Sequence, residues 1–142
     1  MEIAENEMLL VYNSGTQSDR TALGYAKAVK DYKLREVDIK KDAFTETQLK
    51  EIANKLGVNP MDLVDRQSDI FKDKYKNSSM NENDVLTVLS HEPDIMRTPI
   101  VLYKDKGAFV DSKYEFVKRG MASPDITSEH ANKEERSDDK SA

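Results

Sequence analysis

The order of the apolar runs constrains this chain more than any other feature. MLLVY (8–12) is a short unbroken run that stops at the turn-forming NSGT, which reads as a buried strand. SDRTALGYAKAVKDY follows with helical spacing, Ala22, Ala26 and Val29 falling at i, i+4 and i+7. Ser18 is the expected helix cap, and Asp19 complements the positive end of the helix. LREVDI (34–39) then alternates as a strand does. A β-α-β order sets two strands parallel with a right-handed crossover. Half of a layered α/β sheet is therefore specified before residue 40.

TETQLKEIANKLG is the clearest helix. Thr45 and Gln48 have capping-box spacing, Leu49, Ile52, Ala53 and Leu56 form one apolar stripe, and Gly57 suits the C′ position. Asn59-Pro60 opens a further short helix with proline at N1. Another helical stretch is expected over 69–75. Asn81 begins NENDVLTVLSH, with Val85, Val88 and Leu89 inward, and Glu92-Pro93 ends it. PIVLY (99–103) and AFVD (108–111), joined by KDKG as a tight turn, read as a hairpin. Ser112 and Glu115 have capping-box spacing for a last helix, KYEFVKR, closed by Gly120. The sum is an α/β fold: a four-stranded mixed sheet, β-α-β … β-β-α, of the thioredoxin-like layout. A helical insertion, about 45–91, separates its halves. All but two of the Val, Leu, Ile and Phe residues lie between 8 and 120, the exceptions being Ile3 and Ile126. The expected organisation is an extension at 1–7, one domain at 8–120, and a polar, disordered tail at 121–142.

Composition removes whole classes of chemistry. With no cysteine the chain has no disulfide, no thiol nucleophile and no Cys-based metal site. His91 and His130 are its two histidines and lie far apart in sequence, which argues against a His-rich metal centre and leaves a carboxylate site open; no metal or cofactor is expected. His91 reads as a charge partner for a helix C-terminus, and Tyr12 and Tyr103 read as core. The net charge of -5 argues against nucleic-acid binding. No apolar run approaches the roughly 18 residues of a membrane span. MEIAENE lacks the pattern of a secretory signal, so the cytoplasm is the expected compartment. Asn77-Ser78-Ser79 matches a glycosylation acceptor and reads as a polar loop. The acids at 134, 135, 138 and 139 read as a solvated, mixed-charge segment.

Three stretches in this order resemble one family: VYNSGTQSDRTAL at the first strand–helix junction, LVDRQSDIFKDKY in the inserted helices, and HEPDIMRTPIVL before the third strand. The chain resembles the glutaredoxin-coupled arsenate reductases, a family that also includes Spx-type regulators of RNA polymerase. The similarity covers roughly residues 8–120. In that family the first loop reads N-x-x-C-x-T/S-x-R, and the cysteine before a helix N-terminus becomes a reactive thiolate that attacks arsenate. Here the loop runs Asn13-Ser14-Gly15-Thr16-Gln17-Ser18-Asp19-Arg20, and Thr16 stands at the cysteine position. A threonine hydroxyl is hardly ionised at neutral pH and cannot cycle through a mixed disulfide. Thiol-based arsenate reduction and an Spx-type redox switch are therefore closed to this chain alone.

The resemblance also implies oxyanion-binding arginines. One matches Arg66. Another matches Thr98, with Arg97 one residue earlier. A third falls near Asp111. The resemblance further implies a cis peptide bond at Thr98-Pro99. Asn13, Ser14, Thr16, Ser18, Arg20, Arg66, Arg97, Thr98 and Pro99 thus outline a candidate ancestral anion pocket. The same loop also makes an ordinary helix cap with a polar turn, and the arginines make ordinary surface ion pairs. The favoured function is a non-catalytic protein acting through an unidentified protein partner. The alternatives are an oxidoreductase dependent on an external thiol, and a binder of a small oxyanion or glutathione.

Overall fold

Two strands carry the centre of the sheet because both their faces are covered. β1 (Glu7–Tyr12) lies between β2 (Lys33–Asp38), which runs parallel to it, and β3 (Ile100–Tyr103), which runs antiparallel. β4 (Lys106–Phe109) closes the other edge, giving the order β2-β1-β3-β4. The helices are α1 (Gln17–Ala28), α2 (Glu46–Leu56), α3 (Asp69–Lys74), α4 (Glu82–His91) and α5 (Tyr114–Lys118). Short 3₁₀ turns occupy Pro60–Leu63 and Pro93–Ile95. The computed structural model describes residues 2–75 and 77–122. The expected tail at 121–142, with His130, lies almost wholly outside the described residues.

Side chains alternate across the sheet. Leu9, Val11, Ile100 and Leu102 face one core, with Leu49 and Ile52 of α2 and Val85 and Leu89 of α4. Met8, Leu10, Tyr12, Val101 and Tyr103 face a second core, with Ala22, Leu23 and Ala26 of α1 and Phe116 of α5. A strand buried on both faces reads as a continuous apolar run, which is why MLLVY shows no alternation. β2 is an edge strand and does alternate in part, with Leu34 and Val37 half-buried and Lys33, Arg35 and Glu36 exposed. Phe116 is completely buried, so truncation to alanine costs roughly 3–5 kcal/mol.

Most helix ends follow the sequence. The Thr45 hydroxyl accepts the Gln48 amide at 3.2 Å, the Gln48 side chain accepts the Thr45 amide at 3.0 Å, and Gly57 ends α2 at φ 71°. Asn81 caps α4 through a second box with Asp84. The His91 ring N–H donates to Thr87 O at 2.8 Å, closing the end of α4.

Three expectations are corrected and one is extended. Thr16, not Ser18, is the N-cap of α1, because the chain turns into the helix two residues earlier. The buried stripe of α4 takes in Leu86 besides Val85 and Leu89, while Val88 is half-buried and packs against the same core as expected. The hairpin turn is Lys104-Asp105, with Lys104 at φ 53°, so the strand starts at Lys106 and not at Ala108. Gly107 belongs to the strand, where a Cβ would sit 2.6 Å from Leu102 Cδ2; it is there for packing and not for the turn. Finally, Ser112 and Glu115 form no capping box. Glu115 turns to Arg119 at 3.3 Å and Lys118 at 3.4 Å, and Lys113 takes the N-cap position.

Candidate functional site

Because β1 and β2 are parallel, their C-terminal ends lie side by side, and the loops that leave them share one end of the sheet. The first of these is the Thr16 loop. The Asn13 side chain accepts the Gly15 amide at 2.8 Å, and the Asn13 carbonyl accepts the Thr16 amide at 3.1 Å, so the chain turns sharply into α1. At Gly15 a Cβ would meet Lys40 Cε at 2.8 Å and Asn13 Oδ1 at 3.0 Å, so a side chain there would push the Lys40 stem aside and crowd the Asn13 turn.

Two buried carboxylates hold the loop from below. Asp19, 3% exposed in the first turn of α1, accepts the Asn13 amide at 2.8 Å and the Thr98 hydroxyl at 2.5 Å. Asp38, 6% exposed at the end of β2, accepts the Ser14 amide at 3.1 Å and the Lys40 amide at 3.0 Å. Every amide from Asn13 to Thr16 therefore has an acceptor within the protein. Burial opposes ionisation of Asp38. Hydrogen bonds from Ser14 and Lys40, with the charge of nearby Lys41, outweigh it and hold the carboxyl below its ordinary pKa. Its second oxygen, Oδ2, is buried without a partner among the described residues.

The nine residues expected to form the pocket do not all converge. Thr16 is exposed, and its hydroxyl donates back to Asn13 O at 3.2 Å. Arg20 donates to Ser14 O at 2.9 Å and so bridges the loop to α1. Ser18 is exposed on α1. The Thr98-Pro99 bond is cis, and Thr98 joins the loop through Asp19. The Arg97 guanidinium lies 3.8 Å from the centre of the Phe109 ring, a cation–π contact. Arg66 is exposed beside the Asp65–Ser68 turn.

Asn13, Gly15 and Thr16 instead line an open depression of about 300 Å³ with Lys40, Ser68, Asp69, Ile70 and Asp94. Its charged groups are one lysine and two aspartates, and Lys40 Nζ already holds Asp94 Oδ1 at 3.3 Å. An oxyanion entering here would meet a paired cation and a second acid. Sequence reading missed Lys40, Asp94 and the Ser68–Ile70 wall. Lys40 carried a signal: it follows a strand parallel to the one that precedes Thr16, and ligands of open α/β sheets gather at such ends. Among the described residues no group of three or more His, Asp or Glu side chains could hold a metal ion. Nor is any described helix long and apolar enough to cross a membrane.

No family model matches the chain, and no curated protein matches it. Solved structures do. An assigned arsenate reductase from Yersinia pestis superposes with TM-score 0.68 at 16% identity, covering 79% of this chain and 99% of its own. The arsenate reductase from Vibrio cholerae gives 0.68 at 13% identity, covering 81% and 98%. The SACOL0876 protein of Staphylococcus aureus COL gives 0.66 at 15% identity, covering 81% and 99%. At these identities the likeness is one of fold. In fold the chain is arsenate reductase-like, and it is so without a cysteine.

Proposed function

We propose that this protein is a non-catalytic, arsenate reductase-like domain that acts by binding a protein partner. The Thr16 hydroxyl carries the reading. It stands where the reductase thiol would, and its hydrogen bond goes to a backbone carbonyl, which cannot take its proton. Nucleophilic activation needs a base at that place. Two further features support the reading. Asp19 and Asp38 occupy the loop amides from beneath. Arg97 is laid on Phe109. On this reading the protein works in the cytoplasm, as an Spx-like regulator without a redox switch. The second reading, a site for a small oxyanion or glutathione, draws on Lys40, but that lysine is paired with Asp94 beside a second acid.

The test is an arsenate reduction assay with glutathione and glutaredoxin, run on the full chain and on Thr16→Cys. Both stay at background if the site has lost more than its thiol. Turnover by the unaltered chain overturns the reading outright. Turnover by Thr16→Cys alone shows a site disabled at one position and otherwise intact.

A further inference from the structure

β2 leaves one backbone edge unpaired, at the end of the order β2-β1-β3-β4. The Lys33 amide donates to Asn6 O at 2.7 Å and the Ile39 amide to Tyr12 O at 2.9 Å, so the odd-numbered residues turn their backbone groups toward β1. Leu34 and Glu36 turn theirs outward. Among the described residues, no backbone hydrogen bond reaches those outward groups. The Asp38 carbonyl is taken by the amides of Lys41 and Asp42, which bounds the open stretch. Lys33, Arg35 and Val37 share the face of Leu9 and Val11, whereas Leu34 and Glu36 share that of Met8 and Leu10.

An exposed edge invites a second copy of the same strand. Opposed residues in an antiparallel pair must both face outward or both face inward. A two-fold pairing of two β2 edges is therefore centred on a residue. Centred on Arg35 it opposes two guanidinium groups; centred on Glu36 it opposes two carboxylates. Centred on Leu34 it sets Lys33 against Arg35, and centred on Val37 it sets Glu36 against Asp38. Each of these registers places like charges face to face, which is unfavourable in a cross-strand pair.

We propose that this edge docks an extended segment of a partner protein and rejects its own copy. The segment runs antiparallel to β2 with a base opposite Glu36, an acid opposite Arg35 and an apolar residue opposite Leu34. Arg35 Nη1 also holds Glu7 at 3.0 Å and donates to the Glu2 carbonyl at 2.9 Å, and Glu36 accepts the Tyr12 hydroxyl at 3.5 Å, yet the Arg35 side chain remains 46% exposed and both charges lie at the surface. Residues 123–142 contain no base-acid-apolar run, which excludes that segment as the occupant and leaves the charge pattern of the edge to define the partner. The proposal rests on the protein-binding reading above. The two fail separately: turnover of arsenate overturns that reading, and the titration below overturns only this surface.

The ¹⁵N-labelled full chain is titrated with the peptide TVKEVET and, as control, with the charge-swapped TVEKVKT. Saturable shifts and about tenfold slower amide exchange at Leu34 and Glu36 are expected with the first peptide alone. The double variant Arg35→Glu with Glu36→Lys reverses the preference. Sedimentation is expected to show a monomer. An unchanged exchange rate at millimolar peptide, an equal response to both peptides, or a dimer that protects these two amides overturns the proposal.

Discussion

α1 and α2 start from the same residue type and solve the same problem in opposite ways. Thr45 turns its hydroxyl forward onto the Gln48 amide and completes a capping box. Thr16 makes no cap bond, and its hydroxyl points back to Asn13 O. Helix α2 thus caps its own start locally, through residues three apart. The start of α1 is held from elsewhere, by Asp19 within the helix, by Asp38 on β2 and by Thr98 before β3. A local cap leaves the loop before it free to vary. A loop pinned from three elements has its amides from Asn13 to Thr16 committed to the protein itself.

The largest expected effect tests the pinning. Asp19→Ala leaves the buried Asn13 amide without its acceptor and frees the Thr98 hydroxyl, costing about 3 kcal/mol in urea denaturation. A cost under about 1 kcal/mol would mean that the carboxylate does not organise the loop. Next come the two threonines. Thr45→Ala costs about 1 kcal/mol, the ordinary value of a lost cap, whereas Thr16→Ala stays within about 0.5 kcal/mol, as an exposed substitution does. Equal costs for the pair would erase the contrast between the helix starts. The smallest effect is a pH dependence. Asp38 ionises below its ordinary 3.8, so its carboxylate contributes stability that is fully present above that pH. That contribution disappears as the pH falls through the lower native value. The stability gap between the protein and Asp38→Asn should therefore narrow under acid, and a gap that widens would mean the carboxyl is raised and not lowered.

The sheet was legible because burial on two faces and local caps leave marks within a few residues: MLLVY, the Thr45 box and Gly57 each stand where they were expected. The hairpin start was misplaced because Gly107 signals a turn in sequence but serves packing against Leu102 in space. The cap at Ser112 was misread because Glu115 has a stronger partner in Arg119 than in a backbone amide. The family likeness led to the cis bond at Pro99 and to the loop itself. It could not supply Lys40, Ser68, Asp69 or Asp94, which reach the depression from the end of β2, the start of α3 and the Pro93–Ile95 turn. Nor could it give the guanidinium of Arg97 a direction, because Phe109 lies on β4, past the hairpin turn.

The most direct test of the committed loop is a backbone-amide NMR titration of the full chain with phosphate, arsenate and glutathione in turn. With its loop amides already bonded to Asn13, Asp19 and Asp38, the protein should show no saturable shift at residues 14–20 or 97–99 with millimolar ligand. Saturable shifts confined to those residues would contradict the account and restore the loop as a working anion site.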